Sequence, residues 1–179
     1  APQKGTITVH KTDSETGKPT ILSPATFEIH AKNDIITGDG TVRYQAGELV
    51  DTLTTAGGSA TSKPLYLGSY IVTEKTAPEG YVLNTEPQEV TLRYGGQTVE
   101  LVTESVTFAN APQKGQIVVQ KNDADSGKPI TASPAVFEIR AKTDIMTADG
   151  TVRYKAGELV DTITTANGIA NSKPLYLGA

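Results

Sequence analysis

Apolar and polar residues alternate with a period of two along most of this chain, the spacing of half-buried β-strands. Gly5–Thr12 sets Ile7 and Val9 against Thr6, Thr8 and His10, and Ala25–Ala31 sets Phe27 and Ile29 against Glu28 and His30. Leu65–Leu67 leads through Gly68 into Ser69–Lys75, and Ser105–Asn110 forms the last strand of the pattern. Glu89–Tyr94 and Gln97–Val102 flank Gly95-Gly96, which predicts a hairpin. Glu48–Thr55 is ambiguous, with apolar residues in both phases. Turn signals stand between these runs at Asp13–Pro19, Asp39-Gly40, Gly57-Gly58 and Ala77–Tyr81. Short strands, frequent turns and no helical period predict an all-β fold, an immunoglobulin-like β-sandwich.

Three strands carry a polar residue on the apolar face. They are Ile7-Val9-Lys11, Tyr70-Val72-Glu74 and Val106-Phe108-Asn110. With the apolar side inward, Lys11, Glu74 and Asn110 also point into the core. An amine, a carboxylic acid and a carboxamide are the groups needed to join two side chains by an amide bond. The amine attacks the carboxamide, the acid moves protons, and ammonia leaves. The pattern taken alone also fits a solvated lysine at a strand end and an asparagine that forms a turn.

A second pattern is a repeat. Ala1-Pro2-Gln3-Lys4-Gly5 returns as Ala111-Pro112-Gln113-Lys114-Gly115, and residues 1–69 agree with 111–179 at about 48 of 69 aligned positions. The expected organisation is a complete domain at 1–110 and a second repeat at 111–179 that stops before its last strands, as in a fragment of a longer protein. Lys121 occupies the place of Lys11 in the second repeat, as a cross-link lysine without its acid and amide.

Composition narrows the function. The net charge of −4 comes with no basic cluster, which argues against nucleic acid and against membrane insertion by this stretch. There is no cysteine, so neither a disulfide nor a thiolate metal site is available. His10 and His30 lie in the outward phase and become Gln120 and Arg140 in the repeat. Asp34, Asp39 and Asp51 lack the spacing of a calcium loop. No metal or cofactor is expected, and no Ser/His/Asp arrangement suggests external turnover. Absence of Trp makes an aromatic sugar platform a poor fit.

Gly5–Asp13, Gly17-Lys18-Pro19 and Ala25–Ile29 together resemble the opening of collagen-adhesin B-type domains (CnaB, or SpaA-like, prealbumin-like), found in Gram-positive surface adhesins and pilins. Leu67–Tyr81 resembles the family's glutamate strand and its Ala-Pro-x-Gly-Tyr loop, and Val106–Asn110 its closing strand. The resemblance covers the first repeat and the opening two-thirds of the second. It implies an intramolecular isopeptide bond between Lys11 and Asn110 with Glu74 as catalyst. Lys4 is the one rival amine nearby.

Burial among Ile7, Val9 and Phe108 disfavours charge on both Lys11 and Glu74, and holding the groups together removes an entropic barrier of roughly 7–11 kcal/mol. The reaction happens once per domain, so the chain is not expected to be an enzyme in the ordinary sense. The expected role is a stalk of tandem sandwiches on the cell-wall-anchored, extracellular surface of a Gram-positive bacterium. Its partners would be neighbouring repeats, with any host ligand met by other domains. The competing reading is an adhesin module whose loops bind a host protein or glycan.

Overall fold

The computed structural model describes residues 1–179, and every regular element is a strand. The chain divides into two compact units, residues 1–111 and 112–179. No helix is long and apolar enough to cross a membrane.

The first unit runs β1 (Lys4–Asp13), β2 (Thr26–Ala31), β3 (Ile35–Ile36), β4 (Val42–Tyr44), β5 (Leu49–Thr54), β6 (Ser59–Thr61), β7 (Leu65–Tyr66), β8 (Gly68–Thr76), β9 (Gln88–Leu92) and β10 (Leu101–Asn110). One sheet has the order β10-β1-β6, with β7 also on β1, and the other has the order β5-β2-β8-β9. β3 and β4 form a small hairpin across the Asp39-Gly40 turn. Alternation puts Ile7 and Val9 from one sheet and Phe27, Ile29 and Val72 from the other into the core, all fully buried. The rings of Phe27 and Phe108 meet across it at 5.0 Å between centroids.

β1 is the central strand of its sheet. It pairs in parallel with β10 from Lys4↔Leu101 to Asp13↔Asn110, and antiparallel with β6 and β7 on its other side. Gly5 permits the close approach of β10: a Cβ there would lie 2.5 Å from Val102 Cγ2 and 3.0 Å from the Val102 carbonyl oxygen.

One strand expectation needs correction, and one ambiguity is resolved. The Gly95-Gly96 hairpin does not form. β9 ends at Leu92, residues 93–100 form a loop that crosses between sheets, and a single β10 replaces the separate Gln97–Val102 and Ser105–Asn110 strands. The Gly-Gly segment folds back on the amino-terminal arm instead, where Gly95 N donates to Gln3 Oε1 at 3.0 Å and Gln3 Nε2 donates to the Gly96 carbonyl at 3.3 Å. In β5 strict alternation fails, because a bulge opposite Ile29/His30 buries Val50 and Leu53 and leaves Leu49 exposed.

The second unit contains β11 (Lys114–Gly115), β12 (Val118–Gln120), β13 (Val136–Arg140), β14 (Ile145–Met146), β15 (Val152–Tyr154), β16 (Leu159–Thr164), β17 (Ile169–Asn171) and β18 (Leu175–Tyr176). The pairs β11-β18, β12-β17, β13-β16 and β14-β15 repeat those of β1-β7, β1-β6, β2-β5 and β3-β4. Nothing in this unit corresponds to β8, β9 or β10. Its buried cluster shrinks to Ala141, Ile145, Val160 and Leu175, and Ile117, the counterpart of fully buried Ile7, is 45% exposed.

Candidate functional site

Lys11 sits near the end of β1, where the inward phase of Ile7 and Val9 carries it beneath the surface. Asn110 is the last residue of β10; the parallel register sets it opposite Asp13 and sets Phe108 opposite Lys11, so Asn110 lies two positions beyond Lys11 on the same inward phase. Glu74 lies on β8 in the opposite sheet and reaches across the core, in phase with Tyr70 and Val72. Relative exposures of 0% for Lys11, 5% for Glu74 and 2% for Asn110 define a dry polar cluster within an apolar core. The structure therefore brings together the three residues singled out in the sequence.

Lys11 Nζ lies 3.7 Å from Glu74 Oε1 and donates to the Phe108 carbonyl at 2.8 Å. Asn110 Nδ2 donates to both Glu74 oxygens, at 3.0 Å to Oε1 and 2.8 Å to Oε2. Glu74 Oε2 also accepts from the Asn84 backbone N–H at 2.8 Å. The carboxylate thus touches both the attacking amine and the nitrogen that would leave. Asn110 Oδ1 is buried with no hydrogen-bond partner. The amide thus presents its nitrogen, not its carbonyl oxygen, to the carboxylate, which accepts.

Burial lowers the Lys11 pKa from 10.5 to about 8, against the opposing attractions of Glu74 and Asp13. At neutral pH the amine is then free in about one chain in ten, against roughly one in 3,000 for an ordinary lysine.

The other candidates lie elsewhere. Lys4 Nζ sits over the Tyr66 ring at 4.6 Å from its centroid. His10 is exposed, and His30 Nε2 lies 3.8 Å from Glu28 Oε2. Asp34 and Asp51 accept from the backbone N–H groups of Ala46 and Lys63, and Asp39 closes its own turn with Thr37 and Thr41. Lys121 is exposed, because no strand equivalent to β8 or β10 covers it.

Sequence reasoning missed three neighbours of the cluster. Asp13 is fully buried; its Oδ1 accepts from the N–H groups of Glu15 and Thr16, and its Oδ2 from the Tyr81 hydroxyl at 2.7 Å. Period two already put Asp13 in phase with Lys11, but the turn signal that follows drew it into the loop. Asn84 acts through its main chain, which no side-chain pattern reveals.

The SpaA prealbumin-like fold domain matches residues 5–107. The chain belongs to that family. The match spans β1 through most of β10 of this SpaA-type domain and stops three residues short of Asn110. Among solved structures, the Bacillus anthracis TIE protein is similar at 25% identity and a TM-score of 0.61, over 96% of this chain and 27% of that one. The group B streptococcus pilus 2b backbone protein matches at 28% identity and a TM-score of 0.42, over 60% of this chain and 41% of that one. The Corynebacterium diphtheriae major pilin SpaA, whose structure points to a modular pilus assembly stabilizing isopeptide bonds, matches at 21% identity and a TM-score of 0.44, over 60% of this chain and 30% of that one. The SpaA-type chain therefore spans between about a quarter and two-fifths of these proteins. No curated protein matches it.

Proposed function

We propose that the first unit joins Lys11 to Asn110 by an isopeptide bond, with Glu74 as the proton carrier. The observation that carries this reading is the burial of amine, acid and carboxamide inside an apolar core, with Glu74 bridging the Lys11 amine and the Asn110 amide. The Nζ–Cγ bond forms, the Cγ–Nδ2 bond breaks, and one amine proton passes through Glu74 to the nitrogen that departs as ammonia. Glu74 is returned unchanged, so catalysis is a single self-modification. A desolvated amine supplies the nucleophile, and the shared contact with Glu74 holds amine and amide in one small site.

The chain then serves as a structural stalk of tandem repeats, in a pilin-like or adhesin protein on the surface of a Gram-positive bacterium, with neighbouring repeats and subunits as its partners. Membership of the SpaA family and the close repetition of residues 1–69 at 111–179 support this role. The parallel pairing of β1 with β10 supports it mechanically. Tension applied at the two ends of the first unit loads the whole β1–β10 ladder in shear, and the cross-link sits at the far end of that ladder.

Intact mass tests the bond. The full chain should be lighter than its sequence by one ammonia, and peptide mapping should recover the Lys11 peptide joined to that of Asn110. Lys11→Ala, Glu74→Ala and Asn110→Ala should each restore the full mass. An unshifted parent mass refutes the cross-link.

A further inference from the structure

One four-residue segment, Tyr81–Asn84, is tied to every strand that supplies a reacting group. Tyr81 donates its hydroxyl to Asp13 Oδ2 at 2.7 Å, two residues beyond Lys11 on β1. Val82 N donates to the Ala111 carbonyl at 2.9 Å, one residue beyond Asn110. Asn84 N donates to Glu74 Oε2 at 2.8 Å. Asn84 Nδ2 adds a 3.5 Å contact to the Ala109 carbonyl.

Hydrophobic packing does not explain the course of this segment beyond Tyr81. Tyr81 is buried, but Val82 and Leu83 are 50% and 41% exposed. Polar bonds hold the rest of the segment in place, and those bonds end on the neighbours of the reacting atoms.

The two Glu74 oxygens are consequently unequal. Oε2 accepts two short bonds, from the Asn84 N–H and from Asn110 Nδ2, both at 2.8 Å, whereas Oε1 accepts only the longer 3.0 Å bond from Asn110 Nδ2 and lies 3.7 Å from Lys11 Nζ. A proton on Oε2 would meet the Asn84 N–H with a donor and waste its acceptor.

We infer that Tyr81–Asn84 is the positioning strap of the cross-linking reaction, and that the Asn84 N–H reserves Oε2 as an acceptor so that the travelling proton is carried on Oε1. This rests on the isopeptide reading above. Oε1 takes a proton from Lys11 Nζ and delivers it to Asn110 Nδ2 as the Nζ–Cγ bond forms and ammonia leaves, which balances without any further reactant.

Asp13 belongs to the same device. Its charge opposes release of the amine, so its contribution is geometric. Its turn also aligns the acceptor strand, through the Ser14 N–H bonded to the Asn110 carbonyl at 2.9 Å. In the second unit Asp123 forms the corresponding turn with Asp125 and Ser126 although no β10 equivalent is present. The turn is therefore encoded locally.

The test uses the full chain, recovered from inclusion bodies and selected as unlinked by its full intact mass in denaturant, then diluted into refolding buffer. Folding is timed by circular dichroism and ammonia loss by intact mass, which separates chemistry from folding. Asn84→Ala keeps the N–H on Glu74 and loses only the side-chain contacts, so it should slow ammonia loss much less than Asn84→Pro. Asn84→Pro removes it and should slow ammonia loss at least about tenfold after folding is complete, as expected when reacting groups lose their alignment. Tyr81→Phe should slow the chemical step about tenfold at an unchanged folding time, and it decides the matter alone if Asn84→Pro fails to fold. Parent-rate linking in Asn84→Pro and Tyr81→Phe, or equal slowing in Asn84→Ala and Asn84→Pro, overturns the strap while leaving the cross-link reading intact. A parent chain that never loses ammonia defeats the cross-link reading itself.

Discussion

The sharpest consequence of the buried Lys11–Glu74 contact concerns the pH dependence of bond formation. The reactive state has a free amine on Lys11 and a proton on Glu74. It holds the same number of protons as the ion pair Lys11⁺–Glu74⁻ and differs only in where one of them sits. Raising the pH toward 8 therefore does not increase the reactive population; passing about 8 removes the shared proton and destroys it. The rate should be level from neutral pH to about 8 and then fall roughly tenfold per pH unit, to about one hundredth at pH ~10. If a free amine were enough, the rate would instead climb about tenfold between neutral pH and pH ~10 and then level off. At pH ~10 the two outcomes differ by about three orders of magnitude. The assay is refolding of unlinked full chain across this pH range, with acid quench and intact-mass quantification. An alkaline plateau would refute the role of Glu74 as proton carrier, although the bond itself would stand.

Glu74→Gln removes the charge that holds the Lys11 proton, so it should free more amine and still fail to link, which intact mass can check. Linking closes a loop of about 100 residues, so the parent should exceed Asn110→Ala in unfolding free energy by up to about 4.7 kcal/mol in denaturant titration. In unlinked Asn110→Ala, the Lys11 pKa is lower folded than unfolded, so the unfolded chain binds more protons between about 8 and 10.5. Stability of that variant should rise across this interval, by about 3 kcal/mol in total, and a flat profile in chemical denaturation would contradict burial of a titrating Lys11. Limited proteolysis should cut residues 112–179 before residues 1–111, because Ile117, Val118 and Val136 are 45–66% exposed while their unit-one counterparts Ile7, Thr8 and Thr26 lie within paired sheets. Equal resistance of the two units would count against that reading.

The sequence made the sandwich legible because its strands are amphipathic and its turns carry Gly, Asp and Pro at the required places. Lys11, Glu74 and Asn110 were legible for the same reason: period two is strict in β1, β8 and the end of β10, so a polar residue in the apolar phase stands out. Legibility failed where long-range pairing overrode local signals. Gly95-Gly96 looks like a hairpin, yet Gln3 claims its backbone and β10 finds β1 instead of β9. Asp13 was hidden by the turn it caps. The Asn84 contribution comes from a backbone N–H, which every residue but proline carries, so side-chain identity could not mark it.

The position of β1 between β10 on one side and β6 and β7 on the other bears on damage tolerance. With Lys11 joined to Asn110, the main chain from Thr12 to Ala109 becomes a closed detour, and continuity of the tether runs through β1 and the side-chain amide. A protease that nicks the exposed Asp39-Gly40 turn or the 93–100 loop would cut the polypeptide without parting the stalk, because both fragments stay attached at the bond. Within the folded unit, scission severs the tether only before Lys11 or at the single peptide bond after Asn110, and nearly all of that length lies before Lys11. Most of that stretch is β1, flanked on both sides by other strands and thus the part of the unit least open to a protease.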